Sequence, residues 1–200
     1  MRYILGVAVL CFLISPAAKA QTLDVPRYEL GLQLDFNYLD GIGDWGGGSG
    51  VRFHYNFDEH LALDSELLYR QHGVTIFQNP LQPQTGAIGQ TTGLFGLRAG
   101  QRVEEVGFFV HARAGFLHFG SDNGATLLTR HTVPAFDVGG TLERYAGPVI
   151  LRLDLGEMIV RYGNATVSSG GFPFGPPVPP PGRLGTRASP VVGLGIAFRF

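Results

Sequence analysis

The stretch that decides the fold covers residues 28–38 and reads Tyr-Glu-Leu-Gly-Leu-Gln-Leu-Asp-Phe-Asn-Tyr. Every second residue carries a large apolar side chain, and the residues between are polar or glycine. Successive side chains of a β-strand point to opposite faces, so this alternation predicts a strand with one apolar and one polar face. Aromatic residues, Tyr28 and Tyr38, stand at both ends of the apolar face.

The same alternation recurs further along the chain and predicts eight strands in all. Within these segments the Asp, Glu and Arg residues fall on the face opposite the apolar one, and Leu68 is an apolar residue on the polar face. The further segments are Val51–Phe57, Leu61–Arg70, Gly93–Arg102, Val106–Phe116, Phe136–Glu143, Val149–Gly156 and Val191–Phe200.

The connections between these segments alternate in length, and this separates two folds that share the strand pattern. A soluble β-sandwich also alternates apolar and polar residues. Tight turns at one end and long connections at the other are typical of membrane barrels. The sequence therefore predicts an all-β fold, an eight-stranded antiparallel up-and-down transmembrane β-barrel. The long connections are Leu39–Gly50, Gln71–Thr92, Leu117–Ala135 and Met158–Pro190, and the short ones are Asp58–His60, Val103–Glu105 and Arg144–Gly147.

Composition agrees with this prediction and excludes other classes. Of 200 residues, 16% are charged and 12% aromatic, and 30 glycines with 13 prolines argue against a helical bundle. The formal net charge is -1 and no basic run is present, so we expect no nucleic-acid binding.

The first twenty residues have the three parts of a secretory signal peptide. Arg2 supplies the positive charge, Ile4–Ile14 the apolar stretch, and Ala18 and Ala20 the small residues of a cleavage site. We expect residues 1–20 to be removed and residues 21–200 to form the barrel domain. Removal takes Cys11, the single cysteine, and would leave a mature chain without disulfides.

Two stretches resemble the eight-stranded outer-membrane barrels of the OmpA-like superfamily. Phe95–Gly100 with Gly107–Phe119 resembles a central hairpin of such proteins, and the end of the chain resembles their C-terminal assembly signal. The resemblance implies the outer membrane of a Gram-negative-type bacterium, insertion by the barrel assembly machinery, contact with membrane lipid and lipopolysaccharide, and a monomer. The signal residues are Val192, Leu194, Ile196, Phe198 and Phe200.

Eight strands leave an interior just wide enough for side chains to fill it. The charged face must then point inward, where the planar fork of arginine binds carboxylates well. We expect a salt-bridged interior without a wide pore. Its members are Asp35, Arg52, Asp64, Glu66, Arg98, Arg102, Arg113, Asp137, Glu143, Arg152 and Asp154.

No catalytic, cofactor or metal site is predicted. Residues 41–46 match G-x-G-x-x-G but no helix follows, and His54 and His111 lack the spacing of a metal pair. We therefore expect a non-enzymatic barrel with a structural or surface-interaction role through its extracellular loops. A narrow channel for ions or small solutes is one alternative.

A lipid A-modifying hydrolase is the other alternative, suggested by His118, Ser121 and Asp122. In the outer-membrane deacylases that this group resembles, the serine follows the histidine by two residues. Here it follows by three, which puts the two side chains on opposite faces of a continuous strand.

Overall fold

The computed structural model describes residues 26–39, 44–79, 82–120, 131–166 and 183–200. The predicted signal peptide with Ala18 and Ala20, and also Ser121 and Asp122, lie outside the described residues. Among the residues that are described, no helix is long and apolar enough to cross a membrane.

Eight antiparallel strands form a closed barrel in which each strand pairs with its neighbours in sequence and the last pairs with the first. The predicted strand number, direction and closure are confirmed. The strands are β1 (Tyr28–Leu39), β2 (Asp44–Asn56), β3 (Leu61–Asn79), β4 (Gln82–Val103), β5 (Val106–Phe119), β6 (Thr132–Ala146), β7 (Val149–Thr166) and β8 (Arg183–Arg199).

The barrel closes where β8 pairs with β1. The ladder extends from the pair Glu29 and Arg199 to the pair Asn37 and Val191. Phe200 completes it, because its N–H donates to the carbonyl of Tyr28 at 3.0 Å and its carbonyl accepts from the Tyr28 N–H at 3.1 Å. No edge is left in this part of the sheet.

The two faces of the sheet have opposite chemistry, with apolar side chains outside and charged side chains inside. On β1, Leu32 is 65% exposed and Asp35 is fully buried. On β4, Phe95 is 58% exposed and Arg98 is 1% exposed. A soluble protein buries its apolar face instead, so this inverted arrangement suits a hydrocarbon surrounding.

Aromatic rings gather at both ends of the outer surface. We call the end with the short turns the lower end and the other the upper end. At the lower end Tyr28 packs on Tyr55 and Phe200, with ring centroids 5.4 and 6.0 Å apart. At the upper end Tyr38 packs on Trp45 at 5.7 Å. These rings form the two aromatic belts expected at membrane interfaces.

Several strands are longer than the side-chain pattern predicts. The predicted connection Leu39–Gly50 includes residues 44–50 of β2, whose glycines pair with β1 on one side and β3 on the other. The predicted connections Gln71–Thr92 and Met158–Pro190 also contain long pieces of strand. Alternation of apolar and polar residues indicates the face of the sheet on which a side chain lies. The length of a strand depends on backbone pairing, and a glycine-rich sequence carries no alternation that would reveal it.

Two of the lower turns place a residue at a positive φ. Gly147 precedes Pro148 and has a φ of 60°, whereas Glu104 occupies the β4–β5 turn with a φ of 51°. Glycine adopts this conformation freely and a side chain does not. In the β2–β3 turn, the Asp58 carboxylate accepts the N–H groups of His60 and Leu61 at 2.7 and 2.8 Å, and these hydrogen bonds lower the pKa of Asp58.

We expect Glu104→Gly to stabilise the barrel by about 0.5–1 kcal/mol, because it relieves the left-handed strain. Gly147→Ala should destabilise it, because it introduces the same strain. Urea unfolding of both variants in detergent micelles measures the difference. A Glu104→Gly variant that unfolds at lower urea than the parent protein would contradict the assignment of strain.

Candidate functional site

The interior divides into two layers of different chemistry. The lower layer, which we call the charged plug, contains Glu29, Arg52, His54, Asn56, Asp64, Glu66, Arg98, Arg102, Arg113, Asp137, Glu143, Arg152 and Asp154. In the upper layer an apolar group, which we call the apolar cap, contains Ile88, Leu94, Leu117, Phe119, Val133, Ala135, Met158, Val160, Tyr162 and Val191. The buried polar residues His72, Gln90 and Ser189 are cross-strand neighbours of this group.

Glu29 of β1 is the carboxylate that the most arginines share. It accepts hydrogen bonds from Arg98 at 3.0 Å, from Arg102 at 2.9 Å and from Arg152 at 2.9 Å. The amide of Asn56 donates to it at 2.9 Å. One carboxylate therefore ties β1 to β2, β4 and β7 across the interior.

Glu143 of β6 is the second acceptor for two of these arginines. Arg98 donates to it, Arg152 donates to the same oxygen at 2.5 Å, and the Tyr145 hydroxyl donates at 2.6 Å. Arg102 in turn donates to the Tyr145 oxygen at 3.0 Å. Every one of these charges has an opposite charge in contact, which burial requires.

Arg52 of β2 joins Asp64 of β3 to Asp154 of β7 within the plug. It binds both carboxylate oxygens of Asp64, at 3.0 and 2.7 Å, and it reaches Asp154 at 2.7 Å. Asp154 also accepts the Thr141 hydroxyl at 2.5 Å. The two-pronged contact with Asp64 uses the fork geometry that lysine lacks.

Arg113 of β5 forms the corresponding centre on the opposite wall. It donates to Asp137 at 2.6 and 2.9 Å and to Glu66 at 2.6 Å. His111 lies 3.0 Å from Asp137 through Nε2. The residues bound by Arg113 come from β3 and β6, so this group also spans the interior.

His54 bridges the two carboxylates Glu29 and Asp64, with Nδ1 2.9 Å from the first and Nε2 3.1 Å from the second. Glu29, His54 and Glu143 offer three donor atoms within 4.8 Å of one another, a spacing that a metal ion requires. Arg98 and Arg152 already bind both carboxylates. Because these guanidinium groups repel a cation, the donor set does not fit a metal site.

A third group is polar and joins β1, β3 and β4. Arg70 of β3 reaches across the barrel wall to Asp35 of β1 and donates to the Thr92 hydroxyl at 2.7 Å. Gly48 of β2 stands between the two strands and makes this possible, because a Cβ there would meet the Arg70 Cγ at 2.6 Å. Here glycine is required by close approach rather than by φ.

All eleven charged residues that the sequence predicts inside lie on the inner face, and their side chains contact opposite charges as described. Glu29 and Arg70 are also buried charged residues of the inner face, and neither was among the eleven predicted. The signal for both was present, since each shares the polar face of its strand with a predicted member. Glu157 lies on the outer face of β7, in a segment predicted to be a connection.

The residues predicted to form the assembly signal lie on the outer face of β8 and at the end of the chain. Leu194, Ile196, Phe198 and Phe200 are exposed, and Val192 is partly exposed. They form one apolar row from the middle of the barrel to the lower belt. A row of side chains on the outer face is accessible to a protein that recognises β8 from outside the barrel.

The histidine of the hydrolase alternative faces outward. His118 is exposed, and its Nδ1 lies 2.8 Å from the Thr132 hydroxyl. Its predicted companions, Ser121 and Asp122, lie outside the described residues.

No family model matches the sequence, and no curated protein sequence matches it. Solved structures do match. The crystal structure of Neisserial surface protein A aligns with 89% of this chain and all of its own, at 13% identity and a TM-score of 0.53. The fold is that of the eight-stranded outer-membrane β-barrels.

A second solved structure supports the same fold. The outer membrane protein AlkL, determined by solid-state NMR in DMPC lipid bilayers, has a TM-score of 0.54 at 14% identity. The alignment covers 93% of this chain and 95% of AlkL. At these identities the likeness to other outer-membrane barrels concerns the fold.

Removing one member of the charged plug should be far more costly than removing a surface charge. We expect Arg113→Leu to destabilise the barrel by about 3–5 kcal/mol, because Asp137 and Glu66 lose their closest cation. Arg144→Leu is the matched control, since Arg144 is exposed near the lower end of β6 and lies 3.9 Å from Glu105. It should cost at most about 1 kcal/mol.

The measurement is the urea midpoint of each variant in lipid vesicles. If Arg113→Leu and Arg144→Leu lowered the urea midpoint equally, the contacts of Arg113 would not compensate buried charge.

Proposed function

We propose that the protein is a non-enzymatic integral protein of the bacterial outer membrane, with a structural or surface-contact role through its upper connections. The observation that carries this proposal is the filled interior. Among the described residues, the paired charges of the plug fill the lower part of the barrel, and buried side chains that include the apolar cap fill the upper part.

The location is supported by the chemistry of the two faces. A closed sheet leaves no backbone edge, and its outer surface is apolar between two aromatic belts. The two solved structures compared above are described as a surface protein and an outer membrane protein. We propose that the chain is inserted by the barrel assembly machinery and that it contacts phospholipid and lipopolysaccharide as a monomer.

The cap argues against the channel alternative. Leu117, Val133, Met158 and Val160 are fully buried in contact with one another and with other apolar residues. An ion that passes along these side chains would lose its hydration, and they offer it no polar ligand. The plug below adds a second barrier, because its carboxylates are already occupied by arginines.

The described contacts of His118 give the hydrolase alternative no support. A general base needs an orienting partner and a nucleophile within hydrogen-bond reach. The partner found for His118 is a threonine hydroxyl, which carries no charge to stabilise an imidazolium. The surface role is therefore the proposal that the described geometry supports best.

Conductance distinguishes the surface role from the channel role. We expect the purified barrel, reconstituted in planar bilayers, to show no stepwise current under conditions in which a porin control conducts. The physical reason is the cost of moving an ion through the apolar cap. Current steps whose number grows with the amount of inserted protein would favour the channel.

Loss of Phe200 should reduce insertion more than loss of another belt aromatic. Phe200 closes the ladder with Tyr28 and stacks on its ring. Until β8 pairs with β1, both edges expose backbone groups. Phe57→Ala is the control, since Phe57 is likewise exposed at the lower end and packs on Tyr55 at 5.2 Å.

Membrane fractionation and migration of unboiled samples on gels give the yield of folded barrel. We expect deletion of Phe200 to lower this yield strongly and Phe57→Ala to lower it little. A normal yield without Phe200 would remove the support for an assembly signal.

A further inference from the structure

The charges of the plug are unevenly divided between its two halves. Among the described residues it contains six carboxylates and five guanidinium groups. Three of these guanidinium groups bind Glu29 and Glu143. The other four carboxylates are bound by two guanidinium groups, so this half has an excess of negative charge. We call it the acid-rich half, and it consists of Asp64, Glu66, Asp137, Asp154, Arg52 and Arg113.

A buried histidine, His111 of β5, contacts the acid-rich half through Nε2. This nitrogen lies 3.0 Å from Oδ2 of Asp137. A carboxylate accepts hydrogen bonds and donates none, so the contact requires a proton on Nε2. Arg113 lies farther from the same nitrogen, at 3.4 Å, and makes its closer contact with the Asp137 oxygen, at 2.6 Å.

The second ring nitrogen of His111 also requires a proton. Nδ1 lies 3.2 Å from the hydroxyl oxygen of Thr141. That hydroxyl has a single proton, which it donates to Asp154 at 2.5 Å. The oxygen of Thr141 is therefore left to accept from Nδ1. A histidine that donates from both nitrogens is an imidazolium cation.

The other buried histidine of the plug, His54, has different neighbours. Its Nδ1 lies 2.9 Å from Glu29, but Arg152 is also within hydrogen-bond distance of this nitrogen, at 3.1 Å. A guanidinium group donates hydrogen bonds and repels a second cation. Because the plug has one carboxylate more than it has guanidinium groups, one further cation makes it neutral. His111 meets the requirements of that cation better than His54 does.

We propose that the plug is a proton-binding site, in which His111 holds one proton that compensates the acid-rich half. The ring lies against the backbone of β6, because a Cβ at Gly139 would meet Nε2 at 2.8 Å. The position is closed to water, since His111 is 5% exposed. A proton is the cation that such a position accepts without any additional space.

The charged groups around His111 agree with a cation on its ring. Its cross-strand neighbour on β4 is Arg98, which is bound by Glu29 and Glu143. Arg113 on its own strand is bound by Glu66 of β3 and Asp137 of β6. Both guanidinium charges are thus compensated by carboxylates. Asp154 of β7 and Asp64 of β3 add negative charge on the same side of the plug.

This inference goes beyond a structural role, because it couples the stability of the barrel to pH. Histidine is the side chain whose charge changes most readily near neutral pH. The folded barrel holds the proton more tightly than the unfolded chain does. The proton therefore stabilises the barrel at low pH, and this contribution is lost as the pH rises and His111 releases it.

The first test observes the proton directly. The folded protein with 15N-labelled histidine is reconstituted in lipid bilayers and examined by NMR at about pH 8, where exposed imidazole rings are mostly neutral. We expect one ring that carries protons on both nitrogens. This signal should disappear in His111→Gln and persist in His54→Gln.

The second test measures the urea midpoint in lipid vesicles between about pH 6 and pH 9. We expect the midpoint of the parent protein to fall as the pH rises, and this fall to disappear in His111→Gln. His72→Gln is the matched control, since His72 is equally buried but its Nε2 lies 2.8 Å from the uncharged side-chain oxygen of Gln90. That variant should keep the pH dependence of the parent protein.

Three outcomes would overturn the proposal. The first is a parent spectrum without a doubly protonated ring, and the second is loss of that signal in His54→Gln. The third is a pH dependence that survives in His111→Gln. If His111→Gln does not fold, the spectra of the parent protein and of His54→Gln decide.

Discussion

Hydrocarbon offers no hydrogen-bond partner to an unpaired backbone group, so every N–H and C=O that lies in it must be bound within the chain. In this protein the pairing of β8 with β1, completed by Phe200 and Tyr28, meets that requirement. Closure also fixes the inner and outer faces of every strand, because a one-residue slip would exchange them. The position of each charged side chain depends on this closure.

Charges that are confined to a narrow interior must compensate one another, and the plug does this by sharing. Glu29 accepts hydrogen bonds from three arginines, and Arg113 donates hydrogen bonds to carboxylates of two strands. A buried ion pair is weak evidence for net stability, because the cost of removing both groups from water offsets much of the attraction. A wrongly paired strand would leave charges uncompensated, so the plug penalises a shifted register more than it stabilises the native one.

The sequence reveals the faces of the barrel but not the layers inside it. Period-two alternation assigns Arg98 and Glu143 to one face, and closure then places them inside. It does not reveal that Glu29 is the shared acceptor, because that depends on which strands stand opposite one another. The apolar cap is missed for a related reason. Val133, Met158 and Val160 lie in segments whose weak alternation and nearby long connections suggest loop, and backbone pairing keeps them in strands.

Glycines in one wall of the barrel make room for long side chains and their hydrogen bonds in the interior. On β2, Gly48 faces inward and lets Arg70 reach Asp35, so a long side chain from one strand satisfies a charge two strands away. Gly50 and Gly195 flank Gln33, whose side-chain amide oxygen Oε1 accepts a hydrogen bond from Arg52 at 3.2 Å. A Cβ at Gly50 would lie 2.1 Å from the carbonyl oxygen of Leu67, so a substitution there would force the backbones of β2 and β3 apart and disturb the contacts of Arg52 beside it.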